Sequence, residues 1–257
     1  MVIRARVQRW RFAITPALLA LLMVLFQFPA QASGGGDGCN PGRSSNYLTY
    51  YYSGTDDASA ASSYGGIYGN IYNYSPYVSS SSSSDFTSQW VMLDNGNEWA
   101  QIGWYESPGS VRHTFVQFND PGVSEWTNFF SPFTINSDPE YEVDYNPSCP
   151  SVGCFAFYAQ GTWMTGSAHN WTPDDAQSYS EIHDKASQIP GGYDKTSYAV
   201  GLHVWYNAGS SGSWHSMNGL DGVSTGSGGA GPSWDNVSGK GTTGNSSYSS
   251  WDSACSN

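Results

Sequence analysis

Apolar and polar residues alternate in short segments through the middle of the chain, from residue 46 to residue 207. These segments are rich in Tyr, Phe, Trp, Val and Ile, and turn-forming residues separate them, which is the pattern of β-strands. No stretch longer than about ten residues has a helical period, and only residues 172–176 suit the start of a short helical turn. We predict strands at residues 46–52, 66–74, 86–93, 98–106, 111–118, 140–145, 154–160, 177–184 and 196–206.

Glycine-containing turns connect two pairs of these segments. Asp94-Asn95-Gly96-Asn97 predicts a tight hairpin, and Pro108-Gly109 predicts another between the next two strands. The succession of strands and turns predicts an all-β fold, an antiparallel β-sandwich of the jelly-roll or concanavalin type. We expect this domain at residues 33–207, with its core from about residue 46. Residues 208–257 are a Gly/Ser-rich tail that we expect to bury little apart from its Trp residues and a terminal Cys.

The first 32 residues have the three-part order of a cleavable secretory signal. Four arginines precede an apolar run at residues 13–28, and Ala30-Gln31-Ala32 supplies small residues before Ser33. The alternative is an uncleaved membrane anchor, because the run is about as long as the shortest membrane-spanning helices. Pro16 and Gln27 interrupt the run, and Pro29 follows it. We therefore predict a secreted, extracellular protein with no membrane segment after cleavage.

Removal of the signal makes the chain strongly acidic. Five basic and all 21 acidic residues remain, so the net charge becomes −16 in place of −12. A chain of this charge is repelled by phosphate backbones and anionic membranes, which argues against nucleic acid as a partner. The sequence does not indicate an oligomeric state.

Four cysteines remain after cleavage, an even number that predicts two disulfides in an exported chain. Cys149 and Cys154 enclose four residues and most simply pair with each other, which leaves Cys39 and Cys255 to connect the two ends. With both pairs oxidised, no thiolate nucleophile is expected. The sequence has no metal-ligand spacing, no phosphate-binding glycine loop and no serine-nucleophile motif, so we predict neither metal nor cofactor.

Two predicted strands place polar residues on one face. In residues 99–105, a period of two puts Gln101, Gly103 and Tyr105 together and leaves Ala100, Ile102 and Trp104 for the core. In residues 179–184, the same period puts Tyr179, Glu181 and His183 on one face. These faces are either simply solvated, as one face of an antiparallel sheet often is, or they carry a site.

Several of these segments resemble, in the same order along the chain, the glutamic peptidases, in particular neprosin-like domains and more distantly the eqolisin type. The resemblance covers about residues 88–207. In the neprosin pattern a catalytic Glu occupies the position of Gln101, whereas the eqolisin type uses a Gln and a Glu. The matching segments are Ala100-Gln101-Ile102-Gly103-Trp104, Thr114-Phe115-Val116-Gln117-Phe118, Cys149 to Cys154 with Phe155-Ala156-Phe157, Ser180-Glu181-Ile182-His183-Asp184 and Ser187-Gln188-Ile189-Pro190-Gly191-Gly192.

The resemblance implies a Gln101/Glu181 dyad that hydrolyses peptide bonds in acid. Glu181 would act as general base and then general acid, and the Gln101 amide would donate to the oxyanion. Tyr105, Tyr179, Trp99 and His183 would shape the cleft for a peptide or protein substrate. The alternatives are a lectin-like sandwich that binds glycans through its aromatic faces, and a structural protein with no ligand of its own.

Overall fold

The computed structural model describes residues 50–57, 61–74, 76, 78, 83–109, 111–120, 123–130, 134–149, 153–183, 190, 197–209, 212–222, 235–238 and 246–252. The predicted signal peptide, Cys39 and Cys255 lie outside these residues. Within them, all the regular structure is β-strand, and no helix capable of crossing a membrane is found.

Fifteen strands are present in this part of the chain. They are β1 (Tyr50–Asp57), β2 (Tyr64–Ile71), β3 (Phe86–Asp94), β4 (Trp99–Ser107), β5 (Val111–Asp120), β6 (Val123–Phe129), β7 (Glu140–Asn146), β8 (Gly153–Ala159), β9 (Thr162–His169), β10 (Asp175–His183), β11 (Ser197–Tyr206), β12 (Ser213–Ser216), β13 (Gly219–Gly222), β14 (Asp235–Ser238) and β15 (Tyr248–Asp252).

The strands form two antiparallel sheets, as the alternation predicted. Sheet A has the order β13-β1-β10-β3-β4-β5-β6, and sheet B has the order β14-β15-β11-β2-β7-β8-β9, with β12 also paired to β11. Both predicted hairpins are confirmed, because Gly96 and Gly109 have φ angles of 85° and 80° in the turns between β3, β4 and β5. The all-β sandwich is therefore confirmed.

The core lies between the sheets and consists of the residues that alternation placed inward. Ala100, Ile102 and Trp104 of β4 are fully buried, as is Ile182 of β10. From sheet B, Val143 and Phe157 pack into the same cluster. The opposite faces of β4 and β10, which carry Gln101 and Glu181, consequently point away from sheet B.

Strands β6 and β9 were not predicted. They end sheets A and B in the observed order, and their sequences, VSEWTNF and TWMTGSAH, contain Ser, Asn, Gly and His. An edge strand needs hydrogen bonds on only one side, so it tolerates residues that weaken a strand prediction.

The expected helical turn at residues 172–176 is wrong. The backbone there is hydrogen-bonded to neighbouring strands: Tyr64 N donates to Pro173 O (3.0 Å) and Asp174 N donates to Asp94 O (2.9 Å). Asp175 then begins β10. Pairing with distant strands outweighed the local preference of Pro and Asp for a helix start.

Part of the tail belongs to the core, although little burial was expected of it beyond Trp. Tyr248 of β15 is buried among the core residues, and β15 pairs with β11. The Tyr248 hydroxyl accepts hydrogen bonds from Gln89 Nε2 (3.2 Å) and Ser180 Oγ (3.4 Å). Residues 246–252 therefore join both sheets directly behind the strand that carries Glu181.

Candidate active site

A cavity of about 640 Å³ lies over the outer face of sheet A. We call it the cleft. Strands β3, β4, β5, β6 and β10 form its floor, with Trp90, Gln101, Phe115, Tyr179 and Glu181 among the lining residues. The cleft thus brings together both residues of the predicted dyad and the aromatic residues around them.

Glu181 is a carboxylate held in place at the floor of the cleft. It is 6% exposed. Its Oε2 accepts hydrogen bonds from the indole Nε1 of Trp90 (2.8 Å) and from Ser88 Oγ (3.1 Å). Both donors come from the neighbouring strand β3, so the strand pairing itself orients the carboxylate.

The register places Gln101 and Glu181 in different cross-strand rows. Across β10, β3 and β4, one row consists of Glu181, Ser88 and Tyr105. The other row consists of Gln177, Met92 and Gln101. The rows are four residues apart along β10, and the strand and residue spacings of a flat sheet put the two Cα atoms on the order of 16 Å apart. The structure therefore brings both side chains to one cleft but not side by side.

Gln101 donates a hydrogen bond in the direction away from Glu181. Its Nε2 donates to Oε1 of Gln117 on β5, and Gln117 Nε2 donates to Oε1 of Glu125 on β6. Gln101 is 6% exposed, and its Oε1 has no hydrogen-bond partner among the residues described. The amide that was expected to serve the oxyanion is thus engaged within the wall of the cleft.

The predicted substrate-binding residues occupy different positions. Tyr179 is buried, stacks on Trp90 at 5.4 Å between ring centroids, and its hydroxyl donates to Asp56. Tyr105 lies against Phe129. Trp99, at the opposite end of β4 from Tyr105, also lines the cleft. His183 lies against Phe86, 3.7 Å from Asp85, and is not among the residues that line the cavity.

Three carboxyl groups that sequence reasoning missed gather on the outer face of sheet A, and one of them, Asp94, lines the cleft. Asp94 and Asp175 are directly opposite each other on β3 and β10, and Asp56 lies opposite Gln177. Burial, followed by the charge of Asp175, raises the pKa of Asp94 to about 7. Burial also raises the pKa of Asp56 to about 6 and that of Asp175 above its ordinary value. Asp94 and Asp175 were assigned to a turn and to a helix start, so only their cross-strand pairing could reveal the cluster.

The disulfide between Cys149 and Cys154 is present, as predicted. It closes the turn between β7 and β8 on sheet B. Among the described residues, no group of three or more His, Cys, Asp or Glu side chains is arranged to hold a metal ion.

Comparisons with known proteins show similarity at the level of structure. No protein-family model matches the chain, and no curated protein matches it. Scytalido-glutamic peptidase bound to a transition-state analogue inhibitor matches with a TM-score of 0.52 and 13% identity, over 79% of this chain and 98% of that chain. The same peptidase with a peptide-based transition-state analogue matches with a TM-score of 0.51 and 12% identity over the same shares.

Weaker structural matches fall into two groups. A peptidase of the eqolisin family in complex with the tripeptide Ala-Ile-His has a TM-score of 0.48 at 12% identity, over 79% of this chain and 98% of that chain. Glycosidase and galectin chains have TM-scores of 0.35 or less. We base no argument on either group. The two stronger matches show that this chain has a glutamic-peptidase-like fold.

Proposed function

We propose that the protein is a secreted, acid-active hydrolase that cleaves peptide bonds in the cleft of sheet A, with Glu181 as general base and then general acid. The observation that carries the proposal is a buried carboxylate, oriented by Trp90 and Ser88, on the floor of an open cleft. The glutamic-peptidase-like fold supports it.

The proposed chemistry is a single-carboxylate mechanism. Ionised Glu181 takes a proton from a water molecule that attacks the peptide carbonyl, and then gives that proton to the leaving amine. The base step needs the carboxylate and the acid step is favoured at low pH, so we expect activity in acid, near the ordinary carboxyl range of about pH 3–5. The acidic composition is compatible with this range, because few cations are present to repel one another.

A peptide or unfolded protein is the substrate class that we propose. The cleft is lined by aromatic side chains such as Trp90, Phe115 and Phe129, which provide apolar contact area for the side chains of an extended peptide. The exposed ring of Phe129 lies at its margin, where it can contact a long substrate.

The test is cleavage of an unstructured protein by the mature chain between about pH 2.5 and 7, a range that spans carboxyl titration. Glu181→Gln should lower kcat at least about 100-fold, the usual worth of a general acid–base group. Glu140→Gln on sheet B is the matched control. Absence of cleavage by the unmodified chain at every pH would refute the proposal, and unchanged cleavage by Glu181→Gln would refute the assignment of the base.

A second candidate function, glycan binding, is supported by the outer face of sheet B. Tyr68, Glu142, Tyr158 and Trp163 form one cross-strand row over β2, β7, β8 and β9. Trp163 is 61% exposed, and exposed aromatic groups beside polar residues are typical of interaction sites. A glycan-array screen with Trp163→Ala as the control tests this candidate, and a screen with no hits would remove it.

A further inference from the structure

Gln101, Gln117 and Glu125 form a directional chain of hydrogen bonds along the wall of the cleft. Glu125 is exposed, Gln117 is half-buried and Gln101 is buried. An ionised carboxylate can only accept, so Gln117 must present its NH₂ group to Glu125 and its carbonyl to Gln101. Gln101 must then present its NH₂ group to Gln117. The side-chain atom of Gln101 that makes no hydrogen bond among the described residues is its carbonyl oxygen, and the amide nitrogen keeps a second N–H.

That oxygen is buried and lacks a hydrogen-bond partner among the described residues. Leaving a buried carbonyl unsatisfied is unfavourable, and a ligand that brought a donor would remove the penalty. Gln101 lines the cleft, so a ligand bound there contacts this side chain, and a rotation of its terminal amide brings the oxygen to the ligand. The complementary ligand group is an N–H donor.

We propose that Gln101 Oε1 accepts a main-chain N–H of a peptide bound in the cleft, and that Glu125, acting through Gln117, is the positioning residue that sets this polarity. The inference rests on the proposed peptide cleft. The row offset from Glu181, on the order of 16 Å at about 3.3 Å per extended residue, places the N–H about four or five residues from the cleaved bond.

This assignment gives Gln101 a role in binding and not in the chemical step. An acceptor cannot stabilise an oxyanion, which requires a donor, and the row offset from Glu181, on the order of 16 Å, keeps the second N–H of Gln101 away from the cleaved bond. Loss of the Gln101 side chain should therefore raise KM and leave kcat nearly unchanged. A fall in kcat at constant KM would support the oxyanion role and overturn the inference.

The direct test measures peptide affinity without cleavage. The mature chain carrying Glu181→Gln is titrated with a fluorescent decapeptide and with a series in which one backbone N–H at a time is N-methylated. We expect one position at which methylation weakens binding about tenfold, the worth of one hydrogen bond of about 1.4 kcal/mol. In a chain that also carries Gln101→Ala, methylation at that position should no longer weaken binding.

The polarity is tested by Glu125→Lys. A lysine only donates, so it turns the carbonyl of Gln117 toward itself and reverses both amides, and Gln101 then presents NH₂ to the cleft. The methylation penalty should disappear in Glu125→Lys and persist in Glu140→Lys, which makes the same charge change on sheet B. A penalty that persists in Glu125→Lys or in Gln101→Ala overturns the inference.

The outcomes separate this inference from the proposed function. Tight peptide binding with the predicted methylation pattern, but no cleavage by the unmodified chain, would support the inference and refute the hydrolase. Cleavage by the unmodified chain, with no position at which N-methylation weakens binding, would support the hydrolase and overturn the inference. Absence of any peptide binding would overturn the inference.

Discussion

At Glu181, a side chain that alternation alone assigns to a polar face is buried and held by two donors. The indole of Trp90 is the more closely bonded of the two, and it also forms the stacked pair with Tyr179. Trp90 therefore connects the aromatic floor of the cleft to the orientation of the proposed base.

We expect Trp90→Phe to lower kcat/KM for peptide cleavage about tenfold, because phenylalanine keeps the apolar contact but cannot donate to Glu181. Steady-state kinetics on one peptide substrate would measure the effect. The matched control is Trp163→Phe on sheet B, for which no change in cleavage is expected. A Trp90→Phe variant with unaltered kinetics would show that the indole does not orient the base.

At the scale of the strands, Gly103 allows β4 to pack closely against β3. A Cβ atom built at Gly103 would lie 2.0 Å from the carbonyl oxygen of Gln89 and 2.7 Å from Trp90 Cα. The strand β4 can therefore approach β3 this closely only with glycine at this position. The spacing of these two strands also sets the position of Trp90 beside Glu181.

Gly103→Ala should destabilise the protein by about 2 kcal/mol, within the usual range for overpacking, because the backbone of β3 must move to admit the methyl group. Urea denaturation monitored by Trp fluorescence would measure the change. Gly109→Ala is not a suitable control, since Gly109 has a positive φ of 80°. Ser107→Ala, at the half-buried end of β4, is suitable and should be nearly neutral.

Strand β15 is joined to the sandwich by a polar network as well as by its ladder with β11. Tyr248, Gln89 and Ser180 are all buried and hydrogen-bonded to one another through the tyrosine hydroxyl. Such a network favours one position for the tail, because the buried Gln89 amide would lose its acceptor in any other.

We expect Tyr248→Phe to lower the free energy of unfolding by about 1–3 kcal/mol, since it removes the acceptor of the buried Gln89 amide, whereas Ser180 keeps its hydrogen bond to Ser250. Tyr198→Phe, which keeps the ring stacked on Tyr72 at 4.9 Å, is the matched control and should change stability much less. Chemical denaturation of the two variants would distinguish them. Equal effects would mean that the Tyr248 network contributes nothing specific.

For the whole molecule, the raised pKa values of carboxyl groups imply greater stability in acid. Burial raises the pKa of Asp94 to about 7 and that of Asp56 to about 6, and burial with the neighbouring Asp144 charge raises that of Glu142 to about 7. Each group holds its proton more tightly in the folded than in the unfolded chain. Their ionisation therefore removes stability as the pH rises from about 4 to 7.

Asp94→Asn should raise the melting temperature by several degrees at about pH 8 and change it little at about pH 3, where the carboxyl is protonated in the folded chain and mostly protonated in the unfolded chain. The amide keeps the acceptor that binds Gly96 N. Thermal unfolding at the two pH values measures the difference. An equal change at both would show that ionisation of Asp94 has no linkage to folding.

Much of the fold and part of the candidate site followed from local pattern. The inward residues Ile102, Trp104 and Ile182, both hairpins, the Cys149–Cys154 disulfide and the shared outward face of Glu181 were all predictable. The edge strands β6 and β9 were not, because their polar composition hides the alternation.

The sequence by itself determined which side of each strand meets the core, since alternation is a property of neighbouring residues. Only the tertiary structure decided what lies beside Glu181 and Gln101. Register across a sheet depends on pairing between segments far apart in the chain, and it put Trp90 beside Glu181, Gln117 beside Gln101 and Asp175 opposite Asp94. It also brought Tyr248 from the tail into the core, where composition had indicated little to bury.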